Sequence, residues 1–169
     1  MVHEVLYETI LWLNLPPVKI NISSQLEIAA GVGSSSALCL GLLAACYVFV
    51  RKKQFDDISE IEWLHIAKKA YHIQLRRQGQ ASGYDILTQL HGGVIQFCLN
   101  RQCWPGETAS ILPQGDLFKQ RVCFFKGDQG APTKAILNRT TKWLNSLDKK
   151  EWFYNLSSEM VMLLSALLS

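Results

Sequence analysis

Charge is scarce in this chain: Asp, Glu, Lys and Arg make up 18% of its 169 residues. The 17 basic and 14 acidic side chains leave a formal net charge of only +3. Basic residues occur only in short runs of two or three, such as Arg51-Lys52-Lys53 and Arg76-Arg77, which read as solvated helix ends. That excludes the basic footprint of a nucleic-acid binder. The five cysteines show no Cys-x-x-Cys spacing. Their odd count, with no secretory leader in view, predicts reduced thiols in a cytoplasm. Cys39 and Cys46 fall seven apart on one presumed helix, where core packing is expected. The four histidines are scattered singly, so His72 and His91 read as surface or packing residues. Internal repeats and low-complexity segments are missing too. What the chain has in quantity is apolar material, 49% of its residues, enough for a core and too much for disorder.

Much of that material lies in one uncharged run, Ile28 to Val50, followed by Arg51-Lys52-Lys53. By length alone it meets the rule for a membrane span. Its first third, from Ala29 through Gly31-Val32-Gly33-Ser34-Ser35-Ser36 to Ala37, is weakly hydrophobic and a poor helix former. A buried core helix starting near Ala37, rather than a membrane segment, is therefore expected.

The Gly/Ser stretch carries chemistry of its own. Upstream, Val18, Ile20 and Ile22 alternate with Lys19, Asn21 and Ser23, which predicts a half-buried strand over 17–26. A Gly/Ser turn between strand and helix leaves several backbone N–H groups aimed at one point. The helix dipole adds partial positive charge there, so the turn suits a phosphate. Gly31 and Gly33 let the backbone approach an anion without a Cβ in the way, and the serine hydroxyls can bond phosphate oxygens or a magnesium ion. Close strand–helix packing is the alternative reading. The stretch is not a P-loop, which needs a lysine that is missing here, and Ser36 stands where Gly-x-Gly-x-x-Gly needs its third glycine.

Gly31-Val32-Gly33-Ser34-Ser35-Ser36-Ala37 instead resembles the Gly-Leu-Gly-Ser-Ser-Ala-Ala phosphate loop of the GHMP small-molecule kinases. Where that family usually has a proline before the loop, this chain has Glu27. A second segment, Gln78-Gly79-Gln80-Ala81-Ser82-Gly83-Tyr84-Asp85 followed by Gly92-Gly93-Val94-Ile95, is similar to the Gly-x-x-Ser-Gly-x-Asp…Gly-Gly stretch of the mevalonate and phosphomevalonate kinase branches. A weaker third likeness runs from Lys126 to Lys134. The family pattern also includes a first strand with a lysine and a Gly-Glu-His-like motif, and a late Gly-rich loop; neither is present. The chain thus reads as an internal portion of a kinase. Its expected consequences are no transfer from residues 1–169 alone and exposed apolar surface at both ends, open to self-association as a homodimer.

The predicted element order is helix 2–13 (Val5, Ile10 and Leu11 on one face), strand 17–26, loop and helix 31–53, and helix 58–77 capped near Asp56-Asp57 and Ser59. A turn and short helix at 82–90 follow, then strands near 93–98, 108–113 and 120–126, and helices 132–146 and 149–168. Strands and helices without regular alternation predict an α+β class. The resemblance implies the two-lobed GHMP-kinase-like fold: an N-terminal lobe of the ribosomal-protein-S5-domain-2-like type over 1–115, and part of a ferredoxin-like C-terminal lobe over 116–169.

The resemblance also implies the chemistry: ATP-dependent, magnesium-assisted phosphorylation of mevalonate or phosphomevalonate on the route to isoprenoids. Gly31, Val32, Gly33, Ser34, Ser35 and Ser36 would hold the ATP phosphates. Ser35 takes the position of the magnesium-binding serine, and Asp85 that of the aspartate that receives the alcohol proton. Ser82 and Gly83 shape the substrate-side turn. Helix capping is the plainer reading of Asp85. The mevalonate branch carries a magnesium-holding glutamate eleven residues before that aspartate, and Gln74 stands there instead. A non-catalytic remnant that keeps the fold, or an interaction module, is the alternative to an enzyme.

Overall fold

In a computed structural model the described residues are 2–24, 33–100, 102–112, 133–145, 151, 154–160 and 162. The chain divides into two compact units, Met1–Lys126 and Gly127–Ser169. In the first, α1 (Val2–Leu13), α2 (Ser34–Arg51), α3 (Glu60–Gln78) and α4 (Tyr84–His91) precede a hairpin of β1 (Val94–Leu99) and β2 (Gly106–Leu112). In the second, α5 spans Thr133–Asn145, and residues 154–160 are helical. The expected boundary at 115/116, the strand at 120–126 and most of the Lys126–Lys134 segment lie outside the described residues.

Helix α2 is central. Cys39, Leu40, Leu42, Leu43, Cys46 and Tyr47 are all buried, and the helix packs against α1, α3 and α4. It is long and apolar enough to cross a membrane by length and composition, and 44% of it is buried inside this unit. Leu43 on α2, Ile66 on α3, and Ile86 and Leu87 on α4 have no exposure at all, each contributing about 1.5–3 kcal/mol by leaving water.

Two readings of the sequence are corrected here. Residues 17–24 form no strand; Val18 and Ile22 are largely exposed, and only Ile20 packs on the core. Alternation supplies a face, whereas a strand also needs a neighbour for its ladder, and the two described strands, near 94–99 and 106–112, pair with each other. On α1 the buried stripe is Val5, Thr9 and Leu13, with Ile10 and Leu11 exposed. Thr9 can be buried because its hydroxyl donates to the Val5 carbonyl at 2.6 Å, so no polar group is left unpaired. The described residues are mostly helical, with one two-stranded antiparallel sheet.

The basic runs are partly paired rather than simply solvated. Lys69 and Arg76 on α3 meet Glu8 on α1, Arg77 meets Glu4, and Lys53 meets Glu62. The start of α3 is a capping box in which Ser59 and Glu62 exchange hydrogen bonds, as its Ser-x-x-Glu spacing predicts. Glu62 also accepts from Lys53 and from the Tyr47 hydroxyl, at 2.6 and 2.8 Å. The Lys53 bond first, then the Ser59 backbone amide and the Tyr47 and Ser59 hydroxyls, hold the Glu62 carboxyl down at about 2, against an ordinary value of 4.5. A carboxylate depressed by folding adds stability above its unfolded value and loses it as pH falls toward the folded one. Denaturant midpoints should therefore fall between pH 4.5 and about 2 more steeply in the parent than in Glu62→Gln. Parallel curves would show that the charge cluster contributes nothing measurable.

Candidate active site

Two helix starts meet at one point. Gly33 is the N-cap of α2, in the left-handed region at φ 73°, where glycine alone is unstrained. Its carbonyl accepts from the amides of Ser36 and Ala37, both at 3.0 Å. The amides of Gly33, Ser34 and Ser35 thus precede the first intrahelical bond, at the positive end of an 18-residue helix. Helix α4 starts at Gly83, also left-handed at φ 76°, with no side-chain cap. Asp85 in its first turn does not cap it. Its carboxylate instead accepts a hydrogen bond from the Ser36 hydroxyl, across 49 residues of sequence.

A third helix closes the cluster. The Gln74 carboxamide of α3 donates to Ser36 Oγ at 2.6 Å and to Asp85 Oδ2 at 3.3 Å. Ser36 and Gln74 are 1% and 4% exposed, so these contacts form with little competing water, and both hold the carboxylate through its Oδ2. One turn beyond Asp85, Gln89 donates to the Gly33 carbonyl at 2.9 Å. Beneath, burial pushes the Cys39 thiol up to about 12, Arg77 opposing and Asp85 reinforcing the shift. Cys39 is thus a packing group and not a nucleophile.

The loop between α3 and α4 is pinned from above. The indole N–H of Trp104 donates to the Ser82 carbonyl at 2.8 Å, and its ring stacks on Tyr71 with centroids 4.5 Å apart. Of the residues predicted from sequence, Gly33, Ser36 and Asp85 come together, and Ser34 and Ser35 flank them in the same turn. Gly31 and Val32 lie outside the described residues. Ser82 and Gly83 form the turn leading to Asp85, with their backbone toward Trp104. His72 and His91 are exposed, and Cys39 and Cys46 are buried.

The donor set is all oxygen and sparse: one carboxylate with neighbouring serine hydroxyls. Among the described residues no three His, Cys, Asp or Glu side chains cluster to cage a metal. That fits magnesium, which is commonly held by one or two carboxylates together with substrate phosphates. It does not fit zinc or a structural calcium site. Gln74 turns its amide nitrogen, which ligates no metal, toward the other two groups.

Comparison with known proteins gives the family. The sequence profile of the GHMP kinases N terminal domain matches residues 2–93. A mevalonate kinase of Methanocaldococcus jannaschii is 34% identical over 96 residues, 55% of this chain and 28% of that protein. A mevalonate kinase of Saccharolobus solfataricus is 40% identical over 81 residues, 48% of this chain and 24% of that protein. One from Arabidopsis thaliana is 31% identical over 100 residues, 53% and 26% of the two chains. The matches therefore span about a quarter of the length of these relatives. No solved structure matches the chain. The family match covers both helix starts and more than half of the residues, so this chain belongs to the GHMP kinases, of whose N-terminal domain it carries residues 2–93.

Proposed function

We propose that the chain is the phosphate-loop and acid–base portion of a mevalonate-kinase-like enzyme that transfers the γ-phosphoryl group of ATP to an alcohol oxygen of mevalonate. The observation that carries this reading is the Asp85 carboxylate tied by Ser36 to the Gly33–Ser36 helix start. Phosphoryl transfer requires little beyond positioning and charge neutralisation. A phosphate-accepting helix terminus beside a carboxylate supplies both.

In this reading the amides around Gly33 to Ser35, with Gly31 and Val32 before them, hold the phosphates. Ser35 is the group that would hold magnesium together with the phosphate oxygens, and the metal when bound neutralises the phosphate charge. Asp85 orients the acceptor hydroxyl and takes its proton as that oxygen attacks phosphorus. Ser36 and Gln74 keep the carboxylate in place, and Ser82 and Gly83 shape the acceptor side. The two-lobed fold, with an N-terminal lobe over 1–115 and a partial ferredoxin-like lobe over 116–169, belongs to the same proposal, as does a cytoplasmic location.

A second reading has one observation in its favour. The Gln74 amide donates to Asp85 Oδ2 and brings no charge to a site that magnesium must share. That is compatible with a non-catalytic member that binds nucleotide or a partner. Isothermal titration with MgATP, mevalonate and phosphomevalonate, each alone, separates the readings. The kinase reading expects saturable heat with MgATP and with one acceptor, and loss of the MgATP signal in Gly33→Val. That variant forces a β-branched residue into a positive φ, with its Cβ 3.0 Å from Gln89 Nε2; circular dichroism should confirm that the helices persist. Undiminished MgATP affinity in a folded variant would remove the loop from the site.

A further inference from the structure

The proposed reading assigns Asp85 a role but leaves open what places its backbone. Two side chains remote in sequence do so. Trp104 lies in the turn of the β-hairpin, 22 residues beyond Ser82, and Tyr71 lies on α3. They are 5% and 3% exposed, and their rings stack at 3° to one another. Gly83, the first residue of the turn into α4, sits directly against both. A Cβ built there would lie 2.7 and 2.8 Å from the indole and 2.8 Å from Tyr71. Ring pair and backbone are thus in contact, with no room for a side chain between them.

The hairpin turn that carries Trp104 is itself fixed. The Asn100 side-chain oxygen accepts from the amides of Gln102 and Cys103 at 3.0 and 3.1 Å. The Gly106 amide donates to the Cys103 carbonyl at 2.8 Å, and Gly106 lies so close to the Cys98 carbonyl that a Cβ would come within 2.4 Å of it. On the other side, Tyr71 and Gln74 sit three apart on α3 and so share one face. That face supports the turn through Tyr71 and the carboxylate through Gln74.

We propose that Trp104 is a positioning residue for Asp85: its indole N–H holds the Ser82 carbonyl, its ring closes with Tyr71 over Gly83, and the hairpin thereby sets where α4 begins. The proposal rests on the kinase reading only for what Asp85 then does. A purely packing role would need the ring and not the N–H, which gives the test. Trp104→Phe keeps a ring on Tyr71 and removes the donor; Trp104→Ala removes both.

The Gln74 carboxamide, bonded to Ser36 and Asp85, reports on the carboxylate directly through solvent exchange of its nitrogen-bound protons, followed by nitrogen-15 NMR. Trp104→Phe should leave the Leu42 and Leu43 amides protected, while Gln74 exchange speeds up about tenfold more than theirs, the scale of one lost buried hydrogen bond. In Trp104→Ala the acceleration should be larger. Unchanged Gln74 exchange in a folded Phe variant would overturn the proposal. In a chain joined to the family's first strand and late Gly-rich loop the same variant should lower kcat about tenfold and leave the KM for MgATP alone. If the parent enzyme showed no turnover, the kinase reading would fail, and the exchange experiment would still decide the positioning role.

Discussion

On the proposed kinase reading, replacing Asp85 with asparagine is expected to lower turnover of mevalonate at least about a hundredfold in a chain joined to the family's first strand and late Gly-rich loop, the usual scale for losing a general base. The substitution is close to isosteric. An asparagine Oδ1 can still accept from the Ser36 hydroxyl and from Gln74 Nε2, the two partners of the carboxylate, so the meeting of the three helices should survive. What disappears is the capacity to take a proton and the negative charge near the phosphates. Nucleotide affinity should change by no more than a few-fold, because the helix-start amides are untouched and a lost charge among phosphates and magnesium acts in both directions. Initial rates against MgATP and mevalonate, with titration of MgATP into both proteins, check both halves. Turnover near the parental level would reduce Asp85 to a structural link between α2 and α4.

The contrast between Asp85 and its neighbours shows how far the sequence could be read. Helix ends were legible because their signals are local. Ser59, one of the expected caps, opens α3, and the turn expected at Ser82-Gly83 leads into α4. The aspartate was legible through its motif, and the family match over residues 2–93 bears out the resemblance. Which serine reaches the carboxylate was not legible. Consecutive helical residues point about 100° apart, so in a Ser-Ser-Ser run the inward hydroxyl depends on how α2 is rotated against α3 and α4. The structure turns Ser36 inward, to 1% exposure, whereas the motif drew attention to Ser35.

Gln74 was visible as a departure from a family pattern. Its engagement with two partners follows from the α3–α4 packing, which no spacing rule gives. Trp104 carried no signal at all, since its contact with Ser82 depends on hairpin geometry. The strand expected at 17–26, which residues 17–24 do not form, has the converse cause: its alternation is a local property, whereas a strand is a property of pairs.

Gly83→Ala is expected to destabilise the Met1–Lys126 unit well beyond the cost of its backbone conformation, and Gly79→Ala is its internal control. Both glycines have φ 76°, so each alanine carries the same cost of about 1 kcal/mol for a left-handed backbone. Around Gly79 nothing lies within 4 Å of a built Cβ, so that cost should be the whole effect. At Gly83 the methyl would overlap the Trp104 indole and the Tyr71 ring. Neither ring can swing away, because both are buried and stacked on one another, and moving the indole breaks its bond to Ser82. Overpacking of that kind adds about 1–3 kcal/mol, for a total of about 2–4 kcal/mol. The turn can relieve the overlap only by moving α4 off α3, which separates Asp85 from Gln74. Denaturant unfolding of the two variants beside the parent measures the difference. Equal losses at Gly79 and Gly83 would mean that the aromatic pair yields freely, and the hairpin would then hold neither the turn nor Asp85.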